Sequence, residues 1–392
     1  MDKIGELLSR RIDKIYPSKK ALEKALRSGK KLRLYQGFDP SKPDLHIGHL
    51  VGLLTMKQFQ DLGHEVIFLI GDFTGRVGDP TGKLKTRQAL TEKQINANAK
   101  TYQEQAGMVL KFSGKNPVKM KFNSHWWKTY GSEKFLEIGN HLTVQQLIER
   151  DMFQARLKKG QPIHLSEFLY PLLQGYDSVA MAVDLEIGGT DQVFNMMMGR
   201  NLTKIYLNKE KFVVTTQLLV DSQGSKIGKT EGNAISLVSS PDQFYGQIMS
   251  LRDEAIVPCF RLITQTPIEQ INQAAQDLKN GQKQMVWKKQ LAFELVKMLH
   301  DQSTAQSAQK AFEQTFQKKQ AVTPKSYQMP TAKANIIDVL VNSSLVQSRG
   351  QAKRLIDQGA VEVNQQVITD TKYILKSGET IRCGKHRFIK IK

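Results

Sequence analysis

Apolar and polar positions alternate along this 392-residue chain with two periods, and their order is the first structural information. Residues 32–38 form a short apolar run with the length of a strand, and Leu50, Leu53, Leu54 and Phe59 then recur at helical spacing until Gly63 stops the pattern. Residues 66–70 make a second strand-like run. Strand, loop, helix and strand in this order predict the βαβ unit that opens a doubly wound parallel sheet. Upstream, Ile4, Leu7, Leu8, Ile12 and Ile15 fall on one face of one or two amphipathic helices within residues 1–30. From 81 to about 162 the pattern turns helical and polar around Trp126 and Trp127, as expected of an insertion between the halves of the sheet. A helix follows over 165–179, then strands over 184–187 and 212–220, with Met196, Met197 and Met198 as core positions of the helix between them. Residues 241–320 read as mainly helical. Pro324 and Pro330, with little periodicity around them, mark a boundary. The segment beyond it, 333–392, reads as helices over 335–340 and 348–358 and strands over 361–364, 366–369 and 387–392.

Charge changes this picture by adding a partner. Lys and Arg number 57 against 37 Asp and Glu, a formal charge of +20, and residues 333–392 carry 11 against 5, or +6. Such an excess calls for a polyanion. No apolar run approaches the ~18 residues of a membrane span, and the N-terminus lacks a signal-peptide core. The two distant cysteines, Cys259 and Cys383, give no disulfide framework, so a reducing cytoplasm and a nucleic-acid partner are expected.

The candidate chemistry sits where the first strand meets its helix. Residues 40–49 read Pro-Ser-Lys-Pro-Asp-Leu-His-Ile-Gly-His, at a strand's carboxyl end and a helix's amino end, where backbone N–H groups and the helix dipole favour phosphate. His46 and His49 are three residues apart, on one helical face, and Gly48 would let a ligand approach the backbone. Taken alone, this is equally a solvated helix start. A zinc site has nothing to complete its ligand set. A second element, Gly71 to Pro80, is a Gly-rich loop after the next strand. A third is the stripe Tyr170, Gln174 and Asp177, which sets a phenol, an amide and a carboxylate on one face of an otherwise apolar helix. A fourth, Gly188-Gly-Thr-Asp-Gln192, closes a strand.

What removes the ambiguity is a motif far downstream of His46, Lys226-Ile-Gly-Lys-Thr230. Paired in this order, the two motifs resemble the HIGH and KMSKS sequences of class I aminoacyl-tRNA synthetases, the first letter for letter and the second with Thr230 in place of the final serine. The stretches Tyr35-Gln-Gly-Phe-Asp39 and Gly78-Asp-Pro80, the Tyr170 stripe, the Gly188 loop and a C-terminal segment, 348–364, similar to the S-four type of RNA-binding module extend the resemblance to the bacterial-type tyrosyl-tRNA synthetases over essentially the whole chain. Tryptophanyl-tRNA synthetases share the sheet but lack this C-terminal module. A catalytically silent relative that only binds structured RNA is the reading from another class. It would have no need of His46, His49, Asp79 and Lys229 together.

The resemblance implies an α/β protein: a Rossmann-like catalytic domain over 1–235 with its insertion at about 81–162, a helical tRNA-binding domain over 236–320, a linker over 321–332 and a small α+β RNA-binding domain over 333–392. It implies activation of tyrosine with Mg²⁺-bound ATP, transfer to tRNA(Tyr), no prosthetic group and no resident metal. Tyr35 and Asp177 would read the substrate phenol; Asp79, Tyr170 and Gln174 would cage its ammonium group; Gln192 would lie near its carboxylate. Gly37, Asp39, Gly48, Gly189 and Asp191 would line the nucleotide, with Asp191 on the ribose. His46, His49, Lys226, Lys229 and Thr230 would stabilise the reacting phosphates from the helix start and a mobile loop. Arg349, Lys353 and Arg354 would contact tRNA. Relatives are symmetric dimers formed through the insertion, which makes Trp126, Trp127 and Phe135 the expected interface residues. Family members commonly carry Gln where this chain has Glu186.

Overall fold

Six strands build the larger sheet: β1 (Ile12–Tyr16), β2 (Arg33–Phe38), β3 (Glu65–Ile70), β4 (Lys119–Phe122), β5 (Leu185–Gly189) and β6 (Phe212–Thr216). They come from a computed structural model that describes every residue except 1, 82–89, 221–226, 228, 231–232, 317–324, 330–333, 344, 347, 365 and 385–386. The spatial order is β1-β6-β5-β2-β3-β4, parallel throughout except for β1 against β6. β2 is flanked by β3 on one side and β5 on the other, so the winding direction reverses between β2 and β5. Ligands of such sheets bind outside the strand carboxyl ends at that reversal.

The βαβ unit is as the periodicity predicts, with the helix at Leu50–Asp61 between β2 and β3. That helix presses close to the sheet because Gly52 has no side chain: a Cβ there would come within 2.2 Å of the Gln36 amide on β2. Helix Leu165–Ala180 packs on helix Val193–Leu207, where a Cβ on Gly175 would meet the Gly199 backbone nitrogen at 3.0 Å. Met196 and Met198 are buried as expected.

Two expectations are corrected by long-range pairing. Ile12 and Ile15 lie in β1, not on a helix; their partners, Thr216 and Val214, belong to the last strand of the sheet and are invisible to a local pattern. Segment 81–162 is mostly helical, but Lys119–Phe122 is a strand that extends the parallel sheet beside β3. Its Lys-Met-Lys-Phe alternation marks an edge strand with its lysines toward solvent. Trp126 and Trp127, expected at an interface, are half-buried and buried, and both donate their indole N–H groups to Asp177.

The chain divides into two compact units, Met1–Gln309 and Lys310–Lys392. The helices from Pro241–Met249 to Gln284–Leu299 belong to the first. Arg10 and Arg11 tie the N-terminus to one of them: their guanidiniums donate to the carbonyls of Phe260, Arg261, Leu262 and Thr264 at the end of helix Ile256–Ile263. Carbonyls at a helix C-terminus lack intrahelical partners, and cations suit them.

The second unit has its own core, centred on Ile336, Leu340, Ala352, Ile356, Val361, Cys383 and Ile389. Helices Ile336–Asn342 and Arg349–Asp357 accompany a five-stranded sheet. Its edge strand, Lys325–Tyr327, pairs in parallel with Arg387–Ile391, so this part of the expected 321–332 linker is sheet. The prolines that suggested a linker, Pro324 and Pro330, lie outside the described residues. Ile374–Leu375 and Thr380–Cys383 are further strands that the sequence pattern did not predict.

Candidate active site

His46 and His49 sit in a 3-10 turn, Ile47–His49, that precedes the Leu50–Asp61 helix, and not on the helical face itself. The two imidazoles cap this turn reciprocally. His46 Nδ1 accepts the Gly48 N–H at 3.1 Å, and His49 Nδ1 accepts the His46 N–H at 2.9 Å. In a neutral imidazole whose Nδ1 accepts, Nε2 carries the proton. The backbone N–H groups expected to face a phosphate are thus taken up by the histidines, and two Nε2–H donors replace them. Gly48 is needed for the same reason: a Cβ would stand 3.0 Å from the His46 ring. The rings lie 4.0 Å apart, centroid to centroid.

The second motif is brought to the first. Lys229–Thr230 forms a two-residue strand with Asn233–Ala234, and the chain beyond it joins the His46 turn through Ile47 N–H to Ile235 O (3.0 Å) and Leu237 N–H to Leu45 O (2.9 Å). A short hairpin therefore stands where a loop was expected. Lys226 lies outside the described residues.

Below the histidines a cavity of about 360 Å³ opens at the carboxyl ends of β2 and β5. Its lining includes Tyr35, Gly37, Asp39, Gly48, Asp79, Tyr170, Gln174, Asp177, Gly189, Asp191 and Gln192. With His46 and His49, which also line it, the cavity holds every described residue assigned to amino acid or nucleotide except Lys229. Tyr35 and Asp177 are fully buried. Asp177 Oδ1 accepts both indole N–H groups, at 2.9 Å from Trp126 and 3.1 Å from Trp127, and Oδ2 accepts the Asn123 amide at 3.2 Å. Burial pushes its carboxyl up to about 8, against the pull of these three donors. Burial likewise raises the phenols of Tyr35 and Tyr170 well above their ordinary range.

Tyr170 donates to Asp39 Oδ2 at 2.8 Å, and Thr74 to Asp39 Oδ1 at 2.7 Å. Gln192 donates to Asp79 Oδ2 at 2.7 Å, so its amide braces that carboxylate. Asn195 bridges Gln192 and Gln174, donating to the side-chain oxygen of each at 3.1 and 3.0 Å. The region is rich in carboxylates, and the histidines stand at its other end. That polarity suits a zwitterion whose ammonium meets acid groups and whose reacting end meets phosphate. Asn123, Asn195, Ser178, Glu186 and Lys211 complete the network and were not singled out as site residues by sequence. Asn195, three residues from Gln192, Ser178, next to Asp177, and Glu186, two residues before the Gly188 loop, carry local hints.

Among the described residues no group of three His, Cys, Asp or Glu side chains is placed to hold a metal ion. In the second unit Lys353 and Arg354 are exposed, whereas Arg349 forms an ion pair with Asp338.

A family model described as tRNA synthetases class I (W and Y) matches residues 27–317, and one for the S4 domain matches residues 336–381. The tyrosine–tRNA ligase of Carboxydothermus hydrogenoformans is 40% identical over 403 residues, covering 98% of this chain and 97% of that protein. That of Dehalococcoides mccartyi is 38% identical over 393 residues, covering 99% and 98%. Among solved structures, a C-terminally truncated mitochondrial tyrosyl-tRNA synthetase from Aspergillus nidulans superposes with a TM-score of 0.69 at 22% identity, covering 80% of this chain and 94% of that one. The tyrosyl-tRNA synthetase of Archaeoglobus fulgidus, solved with L-tyrosine, gives 0.61 at 21% identity, covering 79% and 100%. At those identities the structures speak for the fold. With the first motif and Ile227 of the second lining one cavity, and with full-length relatives of this kind, the chain belongs to the class I tRNA synthetases of the W and Y family and ends in an S4 domain.

Proposed function

We propose that this chain is a tyrosine–tRNA ligase that activates L-tyrosine with ATP and passes the tyrosyl group to the 3′ end of tRNA(Tyr). The observation that carries the reading is the convergence of the two motif segments on one cavity with a buried phenol and carboxylate, Tyr35 and Asp177, in its lining.

A tyrosine carboxylate oxygen attacks the ATP α-phosphorus, the bond to the β-phosphate bridging oxygen breaks, and pyrophosphate leaves. The carboxylate is already a nucleophile, so no general base is required. Catalysis is positioning together with stabilisation of the charge that develops on the phosphates. The Nε2–H groups of His46 and His49 supply donors for that charge, and Lys226, Lys229 and Thr230 act on the leaving pyrophosphate. Mg²⁺ enters as the counter-ion of ATP, part of the substrate. Asp191 takes the ribose, with Gly37, Asp39, Gly48 and Gly189 close to the nucleotide. In the second step a ribose hydroxyl of the tRNA end attacks the adenylate carbonyl and AMP departs.

At the other end, Tyr35 and Asp177 meet the phenol. Asp79, Tyr170 and Gln174 surround the ammonium, with Gln192 holding Asp79 in place. Phenylalanine would offer Tyr35 and Asp177 no hydroxyl, at about 1–3 kcal/mol for each bond left unmade in a buried site. Lys353, Arg354 and to a lesser degree Arg349 bind tRNA phosphates. A homodimer is assigned to the surface carrying Leu136, Val144, Leu157 and Leu165, all exposed apolar side chains within residues 132–165. Cys259 and Cys383 are both buried free thiols, which suits a reducing cytoplasm. No helix among the described residues is long and apolar enough to cross a membrane. The test is amino-acid-dependent ATP–pyrophosphate exchange with tyrosine, phenylalanine and tryptophan in parallel. Tyrosine alone should support it, and equal rates with tryptophan would overturn the assignment.

A further inference from the structure

At the wall of the cavity, with Glu186 in its lining, lies a buried ion pair that none of the assigned steps uses. Lys211, directly before β6, and Glu186, on β5, are 0% and 2% exposed at their side chains and form a salt bridge. Lys211 Nζ also donates to Ser178 Oγ at 2.7 Å. Ser178 Oγ lies 3.0 Å from the Tyr35 hydroxyl and 3.3 Å from Glu186 Oε2. The other oxygen of Glu186 accepts the Gln174 amide at 3.1 Å. Gly199 leaves the room this cluster occupies: a Cβ there would come within 2.5 Å of Lys211 Nζ and 2.8 Å of Ser178 Oγ.

With Lys211 and Glu186 as an ion pair and the Ser178 proton on Glu186, the proton directions in this cluster follow. An ammonium only donates, and an ionised carboxylate only accepts. Ser178 Oγ therefore accepts from Lys211 and gives its own single proton to Glu186. The contact between Ser178 and Tyr35 can then only run from the Tyr35 hydroxyl to Ser178 Oγ. With its proton committed there, the Tyr35 oxygen presents a lone pair to the cavity. On the same ion pair, Glu186 Oε1 orients the Gln174 amide so that its oxygen faces Asn195.

We propose that Lys211, Glu186 and Ser178 are positioning residues that set the Tyr35 hydroxyl as a hydrogen-bond acceptor for the substrate's phenolic O–H. The inference rests on the reading of Tyr35 as a phenol contact. It assigns a role to Glu186, at which the family commonly carries Gln, and to Lys211, which touches no substrate. A buried ion pair contributes little net stability against well-packed apolar residues, because desolvation offsets its attraction. Its directional effect is what the site gains.

The test measures tyrosine and phenylalanine efficiencies in pyrophosphate exchange, with melting temperatures, for four proteins: wild type, Tyr35→Phe, Ser178→Ala, and the double variant Lys211→Met with Glu186→Gln. Tyr35→Phe checks the underlying pocket. If it leaves the tyrosine-to-phenylalanine ratio at the wild-type value, the pocket reading fails, and this inference with it. If Tyr35→Phe lowers the ratio, Ser178→Ala should lower it by a similar factor, about 5-fold, while the KM for ATP stays unchanged. The double variant should keep a melting temperature near wild type and still lose the ratio. A ratio restored to wild type in the double variant would reduce the pair to charge neutralisation and overturn the proposal. So would an unchanged ratio in Ser178→Ala, which leaves both charges in place and decides the matter should the double variant not fold.

Discussion

The two ends of the cavity are built over very different distances along the chain. The histidine end closes on itself: the capping bonds of His46 and His49 span two and three residues. At the carboxylate end, Tyr35 bonds to Ser178 across 143 positions, Tyr170 to Asp39 across 131, and Gln192 to Asp79 across 113. A local turn can present donors to a charge that exists only while the phosphates react. Reading a hydroxyl and an ammonium in a ground-state substrate demands a rigid, dry enclosure, which only packed strands and helices provide. Chemistry and recognition should therefore be separable by mutation.

The strongest test of that separation is at the histidine end. Single replacements His46→Ala, His49→Ala and Lys229→Ala should each lower kcat for exchange by about 10²–10³-fold, as losing one donor to transition-state charge does. The KM for tyrosine should stay within about 2-fold, and a parallel rise in it would mean the two ends are coupled. The next effect leaves both ends alone. Removing the chain after Phe316 takes away the sheet and core of the second unit, including the Lys325–Tyr327 edge strand that a cut at residue 329 would leave behind. Exchange should persist while tRNA charging drops on the order of 100-fold, through lost phosphate contacts. Equal loss of both activities would make the second unit a folding element of the first.

At the carboxylate end the signature reverses. Tyr170→Phe removes a hydroxyl from the groups around the ammonium and a donor to Asp39, so KM for tyrosine should rise about 10-fold or more with kcat little changed. A loss confined to kcat would move Tyr170 into the chemical step. Enclosure also has a pH signature. Burial raises the Asp177 carboxyl to about 8, so the folded protein holds that proton more tightly than the unfolded chain does. Folding stability should then decline as pH rises from about 4 to about 8, by up to a few kcal/mol. Melting temperatures of wild type and Asp177→Asn across that range check the sign: the wild-type value should fall relative to the variant. The smallest effects are expected in the second unit. Lys353→Gln and Arg354→Gln should each weaken tRNA binding about 3-fold at low salt and flatten its salt dependence. Arg349→Gln should do less, because Asp338 already engages that guanidinium.

What the sequence alone determined follows the same division by distance. The βαβ unit, the helix carrying Tyr170, Gln174 and Asp177, and both motifs were legible because hydrophobic period and residue spacing are local quantities. The assigned residues described around the cavity do meet there. Tertiary structure decided β1, whose partners on β6 come from the other end of the sheet's sequence, and β4, whose alternating lysines disguise a sheet edge. It also set the indole N–H groups of Trp126 and Trp127 on Asp177. Lys211 shows the limit most clearly. In sequence it is one of 57 basic residues in a strongly cationic chain, where a solvated lysine is the ordinary expectation. Only when β5, β6 and the Leu165–Ala180 helix close around it do Glu186 and Ser178 become its partners. Pairing across such separations depends on which surfaces pack together, and no short window of residues contains that information.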